Sequence, residues 1–192
     1  MADDPISTLR SDPVLRRLVD EHGALRIAPA EDTFARLVRS IISQQVSTAS
    51  ARAIRERVFD RFEITPESIA AANRTDLRDA GLSGQKAEYV QNVAEAYLEN
   101  GYDRGYFAGM TDDEVTTELI RIRGVGDWTA RMFLMFSLGR EDVFPVEDLG
   151  IRKGMWALFD EDMTRGEMRE RAEPWRPYRS YASLYLWRAV DS

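Results

Sequence analysis

Apolar side chains recur at helical spacing along almost the whole chain, and no segment alternates at the period of a strand. Phe34, Leu37, Val38, Ile41 and Ile42 stand at i, i+3, i+4, i+7 and i+8, the buried face of a helix that Asp32 or Thr33 would cap. A polar break at Ser47 and Thr48 precedes a second helix, Ala51 to Phe62. Thr65-Pro66-Glu67 is a start signal, a capping residue followed by proline at the first helical position. Thr75 to Ala80 reads as a short helix closed by Gly81. Ser83 or Gly84 opens a longer one, with Ala87, Val90, Val93, Ala94 and Tyr97 on one side and Gly101 at its end. Thr111 and Glu114 have capping-box spacing ahead of Val115, Leu119 and Ile122. Asp127 to Leu138 is apolar on most faces and predicts a central helix. Gly150 to Phe159, Arg165 to Ala172 and Ser180 to Val190 complete an all-α chain of about ten helices. The glycine-rich stretch Asn100 to Met110 marks a turn rather than a domain boundary.

Composition narrows the chemistry. The chain has 192 residues, enough for one sizeable domain or two lobes around a cleft. It has no cysteine, which excludes disulfides, thiolate catalysis and cysteine-bound clusters, and fits a cytoplasmic setting. His22 is the single histidine, so a multi-histidine metal site is excluded too. No apolar run approaches the roughly 18 residues of a membrane span, and the acidic start, Met1 to Arg10, lacks a signal-peptide core. The net charge of −7 by itself argues against nucleic acid. Local charge outweighs net charge, however, and all basic residues except Lys86 and Lys153 are arginine, whose fork fits phosphate.

The most informative stretch runs from Leu119 through Arg123-Gly124-Val125-Gly126 to Asp127-Trp128-Thr129-Ala130. One helix ends, two glycines flank an apolar residue, and another helix begins. Glycines let the backbone turn tightly and lie against a ligand, and the N–H groups at the new helix start form a phosphate site with no side chain required. On the two glycines alone, an ordinary helix–helix turn remains equally open.

The flanks decide between these readings. Gly124-Val125-Gly126-Asp127-Trp128-Thr129-Ala130, Asp142-Val143-Phe144-Pro145 and Glu147-Asp148 stand in the order found in the helix-hairpin-helix DNA glycosylases. So do Ser40-Ile41-Ile42-Ser43-Gln44-Gln45-Val46-Ser47 upstream and Trp175 to Ala182 with Trp187 downstream. Over residues 30 to 190 the chain resembles that superfamily, above all single-domain relatives of the alkylpurine type, 3-methyladenine DNA glycosylase II. It departs at Arg123, where many members have proline.

The resemblance implies a fold and an activity. The fold is a single unit, 1–192, with a hairpin-bearing lobe at 35–140 and a second lobe built from 1–34 and 141–192. The activity is monofunctional hydrolysis of the N-glycosidic bond of alkylated purines, such as 3-methyladenine and 7-methylguanine, in damaged double-stranded DNA. The protein would act as a monomer, away from membranes and with no required cofactor. Asp148 matches the catalytic carboxylate; the bland alternative for an aspartate before a helix is an N-cap. Trp128 and Trp187 match the base pocket, where an indole face attracts a cationic base; Met132, one turn after Trp128, reads as core or as part of the same pocket wall. Gln45, or Gln44, matches the wedge that fills the gap left by the flipped nucleotide. Arg123, Gly124, Val125 and Gly126 would meet the DNA backbone. The carbonyls of Ile120, Ile122 and Val125 match those that hold a sodium or potassium ion in many relatives. Lys86, a Schiff-base candidate in isolation, reads as a phosphate contact or a solvated side chain. Arg179 and Tyr181 read as structural or backbone-binding. The alternatives are a non-catalytic hairpin module and a bifunctional glycosylase/lyase. In lyase relatives a lysine occupies the position of Trp128.

Overall fold

Short polar residues start most of the helices, each by satisfying a backbone N–H that the helix leaves without a partner. In the computed structural model, which describes residues 4–159 and 162–191, these elements are thirteen α-helices and one 3-10 turn. The first three residues of the acidic start lie outside the described residues. The chain divides into two compact units, Met1–Pro29 with Gly139–Ser192, and Ala30–Leu138.

The unit Ala30–Leu138 holds α3 (Thr33–Ser43), α4 (Thr48–Arg61), α5 (Pro66–Ala71), α6 (Arg74–Asp79), α7 (Gly84–Asn100), α8 (Arg104–Phe107), α9 (Asp112–Ile120) and α10 (Asp127–Phe136). Asp32 Oδ1 accepts the Ala35 N–H at 2.9 Å and so caps α3. Thr111 and Glu114 form both halves of the expected capping box. Gly101 ends α7 in the left-handed region at φ 65°. The apolar stripe of α3 is buried: Phe34, Leu37, Val38, Ile41 and Ile42 are at most 3% exposed. It packs against α7 and α10. Truncating such a side chain to alanine costs about 2–5 kcal/mol.

The other unit joins the two ends of the chain. Its helices are α1 (Pro5–Arg10), α2 (Pro13–His22), α11 (Leu149–Phe159), α12 (Arg165–Arg171) and α13 (Arg179–Asp191), with the 3-10 turn Glu173–Trp175 after α12. Asp12 caps α2 through Val14 and Leu15, and its second oxygen accepts the Trp175 indole N–H at 2.9 Å. Tyr185 donates to Gly23 O at 2.7 Å and accepts the Leu25 N–H at 3.1 Å. Leu15, Val19, Met155, Trp175, Tyr185 and Leu186 belong to one buried cluster. Helices α1, α2 and α8 were not foreseen. With four to ten residues each, they give periodicity little room to accumulate, and they are marked mainly by Asp4-Pro5, Asp12-Pro13 and Asp103 at their starts.

Candidate active site

The hairpin joins α9 to α10. Ile122 N–H bonds Leu119 O at 3.1 Å and Val125 N–H bonds Ile122 O at 3.0 Å, closing the turn. Its two glycines differ in kind. Gly124 sits at φ +107°, and a Cβ there would fall 2.2 Å from the Tyr89 ring, so glycine is obligatory. Gly126 is extended, and a Cβ there would meet nothing within 4 Å. No side chain caps the α10 start at Gly126. The positive end of the helix dipole is thus presented across open space.

Residues distant in sequence hold the turn. Gln44 Nε2 donates to Gly124 O and to Thr129 Oγ1, both at 2.9 Å. Asn92 Nδ2 donates to Arg123 O at 3.0 Å. The Arg123 guanidinium pairs with Glu88 at 2.6 Å while remaining largely exposed. Gln44 is therefore a brace. Gln45, exposed beside it, is at φ 53°, the one non-glycine at positive φ among the described residues. Such a conformation costs on the order of 1–3 kcal/mol and tends to persist where function needs it.

Lys86 is half-buried. Its Nζ donates to Ile42 O near the end of α3 at 2.6 Å, and burial lowers its pKa. Burial above all, with smaller contributions from Arg39 and Arg55, pulls the Arg36 pKa down. Trp128 is half-buried at the second position of α10. Met132, one turn on, is 6% exposed and so belongs with the buried side chains; little of it could line an open wall.

Asp148 lies in the other unit, at the start of α11. Its backbone N–H bonds Pro145 O at 2.9 Å, and its Oδ1 accepts the Ile151 N–H at 3.0 Å. The same oxygen accepts the Trp187 indole N–H at 2.8 Å. Glu147 turns elsewhere and pairs with Arg169 at 3.2 Å. The segment leading to Asp148 is anchored by the segment entering α13. Arg179 grips the Asp142 carboxylate at 2.7 Å, Ser180 Oγ accepts the Val143 N–H at 2.8 Å, and Ser180 N–H bonds Glu141 O at 2.9 Å. Arg179 is thus structural here, and Tyr181 donates to Glu141 at 2.8 Å.

Sequence reading missed Gly150. A Cβ there would lie 2.7 Å from Trp187 Cδ1 and 2.9 Å from Asp148 Oδ1. Glycine inside a helix costs about 1 kcal/mol relative to alanine, so its presence at that point is itself a signal of close approach.

An all-α fold with this hairpin, and a carboxylate at a loop-to-helix junction, define a DNA-repair class. Residues 38–177 match the HhH-GPD superfamily of base excision DNA repair proteins, and the chain belongs to that family. It is 32% identical to the Bacillus subtilis protein named putative DNA-3-methyladenine glycosylase YfjP, over 92% of this chain and 66% of that protein, just under two thirds of its length. It is 31% identical to DNA-3-methyladenine glycosylase 1 of Schizosaccharomyces pombe, over 91% of this chain and 79% of that one. The solved structure of the Schizosaccharomyces pombe 3-methyladenine DNA glycosylase Mag1 in complex with abasic DNA superposes with a TM-score of 0.90 at 29% identity, covering 98% of this chain and 97% of that one. No helix among the described residues is long and apolar enough to cross a membrane.

Proposed function

We propose that the chain is a monofunctional DNA-3-methyladenine glycosylase acting on alkylated purines in duplex DNA. The observation that carries this reading is the near full-length likeness to such enzymes, which extends far beyond the hairpin. A module that only bound DNA would need the hairpin alone.

The hairpin amides at Gly126 and the start of α10 bind the phosphate backbone without reading sequence. Gln45 enters the stack as the lesion leaves it, and Trp128 stacks on the extruded base. A base alkylated on a ring nitrogen is cationic and leaves readily, taking the electron pair of the N-glycosidic bond. The sugar is then electron-poor at C1′. The Asp148 carboxylate stabilises that charge and orients the attacking water, whose oxygen bonds C1′ and whose proton passes to the carboxylate or solvent. The products are a free base and an abasic site.

A monovalent cation suits the hairpin carbonyls of Ile120, Ile122 and Val125. Such an ion is held by carbonyl dipoles and needs no carboxylate. Ile122 O keeps a second lone pair beside its bond to Val125 N–H, and Ile120 ends α9, where carbonyls lack intrahelical partners. The ion would stiffen the turn and add positive potential. The proposed setting is the cytoplasm, with the protein acting as a monomer. Incubation with methylated duplex DNA and mass spectrometry of the released material tests the reading: free 3-methyladenine and 7-methylguanine are expected, and their absence with folded protein overturns it.

A further inference from the structure

The Trp187 indole serves Asp148 through its edge, whatever its face does. Two donors, Trp187 Nε1 at 2.8 Å and Ile151 N–H at 3.0 Å, converge on Oδ1 of that carboxylate. A carboxylate held by one donor can still pivot about its Cβ–Cγ bond. Two donors from different helices set the plane of the group, and with it the direction of Oδ2. Stabilising charge at C1′ depends on that direction, since a displacement of about 0.5 Å already loosens a catalytic group.

The helix packing is built to allow this contact. Gly150 and Gly154 lie one turn apart on α11, and both face α13. A Cβ at Gly154 would fall 2.4 Å from Leu186 O, and one at Gly150 would strike the Trp187 indole at Cδ1 and Nε1 and the Asp148 carboxylate. Consecutive residues of α13 thus fill the two spaces that the glycines leave, Leu186 through its backbone and Trp187 through its ring edge. All four residues belong to one compact unit.

We propose that Trp187 is a positioning residue whose indole N–H fixes the Asp148 carboxylate for base excision, and that Gly150 is small so that the indole can reach it. This rests on the reading of Asp148 as the catalytic carboxylate. It separates two uses of one tryptophan. Stacking on a base needs only an aromatic face, which phenylalanine also offers. Holding a carboxylate needs the N–H.

The test compares single-turnover release of 7-methylguanine with affinity for abasic-site DNA. Trp187→Phe should slow release roughly ten- to a hundredfold, the loss typical when a hydrogen bond orienting a reactive group is removed, while affinity shifts less than about threefold. Gly150→Ala should give a similar loss by displacing the indole, although alanine favours the helix. Introduced into Trp187→Ala, the same Gly150→Ala change should cost clearly less than it does in the parent, because the indole it displaces is gone and only its approach to the Asp148 carboxylate remains. Additive losses, or release by Trp187→Phe within about threefold of the parent, overturn the positioning role. Asp148→Asn separates the two levels. If it stops release while Trp187→Phe does not slow it, the positioning role alone fails. If Asp148→Asn releases base normally, the catalytic reading fails and the positioning role falls with it.

Discussion

Gln44 Nε2 stands 2.9 Å from Gly124 O, tying the end of α3 to the hairpin 80 residues further along the chain. The same amide nitrogen reaches Thr129 Oγ1 in the first turn of α10, so both sides of the turn share one brace. These hydrogen bonds restrain the turn, which lowers the cost of ordering it when DNA binds.

The two hairpin glycines should fail differently. Gly124→Ala places a methyl group on the Tyr89 ring at positive φ and should lower stability by about 2 kcal/mol or more, read as a shift in the urea midpoint. Gly126→Leu meets open space within the protein and should leave the helical spectrum intact. It should nonetheless weaken binding to all duplex sequences alike, because the side chain would stand where a phosphate approaches. Undiminished affinity for abasic-site DNA in folded Gly126→Leu would remove the hairpin from the DNA interface.

Asp148→Asn retains the side-chain oxygen that caps α11 and accepts from Trp187, but loses the charge. It should fold and bind abasic-site DNA normally while losing base release by about a hundredfold or more. Glu147→Gln should keep most activity, since Glu147 is engaged by Arg169. Equal losses in the two variants would show that the segment needs both acids for its structure.

No covalent adduct is expected when damaged DNA is treated with the protein and borohydride. Trp128 cannot form a Schiff base, and Lys86 Nζ is turned to Ile42 O. Trapping of a protein–DNA adduct would reassign the chain to the lyase type.

Acid should weaken the unit that joins the chain ends, in part through Asp12. Burial pushes its carboxyl pKa up, but the Trp175 indole, the Val14 and Leu15 N–H groups and Arg171 together hold it below the usual value. The folded state therefore favours the ionised form. That stability is present above the unfolded pKa of about 3.9 and is lost as pH falls through the folded value. Asp12→Asn should cost about 1–3 kcal/mol at neutral pH, and its deficit against the parent should shrink below about pH 4 in urea titrations. A deficit independent of pH would mean that the charge contributes nothing.

Much of this protein is local and was therefore legible in the sequence. A helix cap joins residues three apart, as in Asp32 with Ala35 and Thr111 with Glu114, and a buried face repeats every three or four residues, as from Phe34 to Ile42. The hairpin turn is also local, because Gly124 announces positive φ by its own chemistry. The roles of Gln44, Lys86, Gly150 and Trp187 were decided only by tertiary packing. Each depends on what lies across from it. Gln44 finds its partner in a carbonyl on a distant turn, and Lys86 in a carbonyl at the end of α3. Trp187 met a carboxylate 39 residues away because Gly150 left room for its edge. Periodicity tells which face of a helix is buried, but a hydrogen bond between two helices depends on their separation and rotation. Those are set by the summed packing of the whole unit, which no single segment encodes.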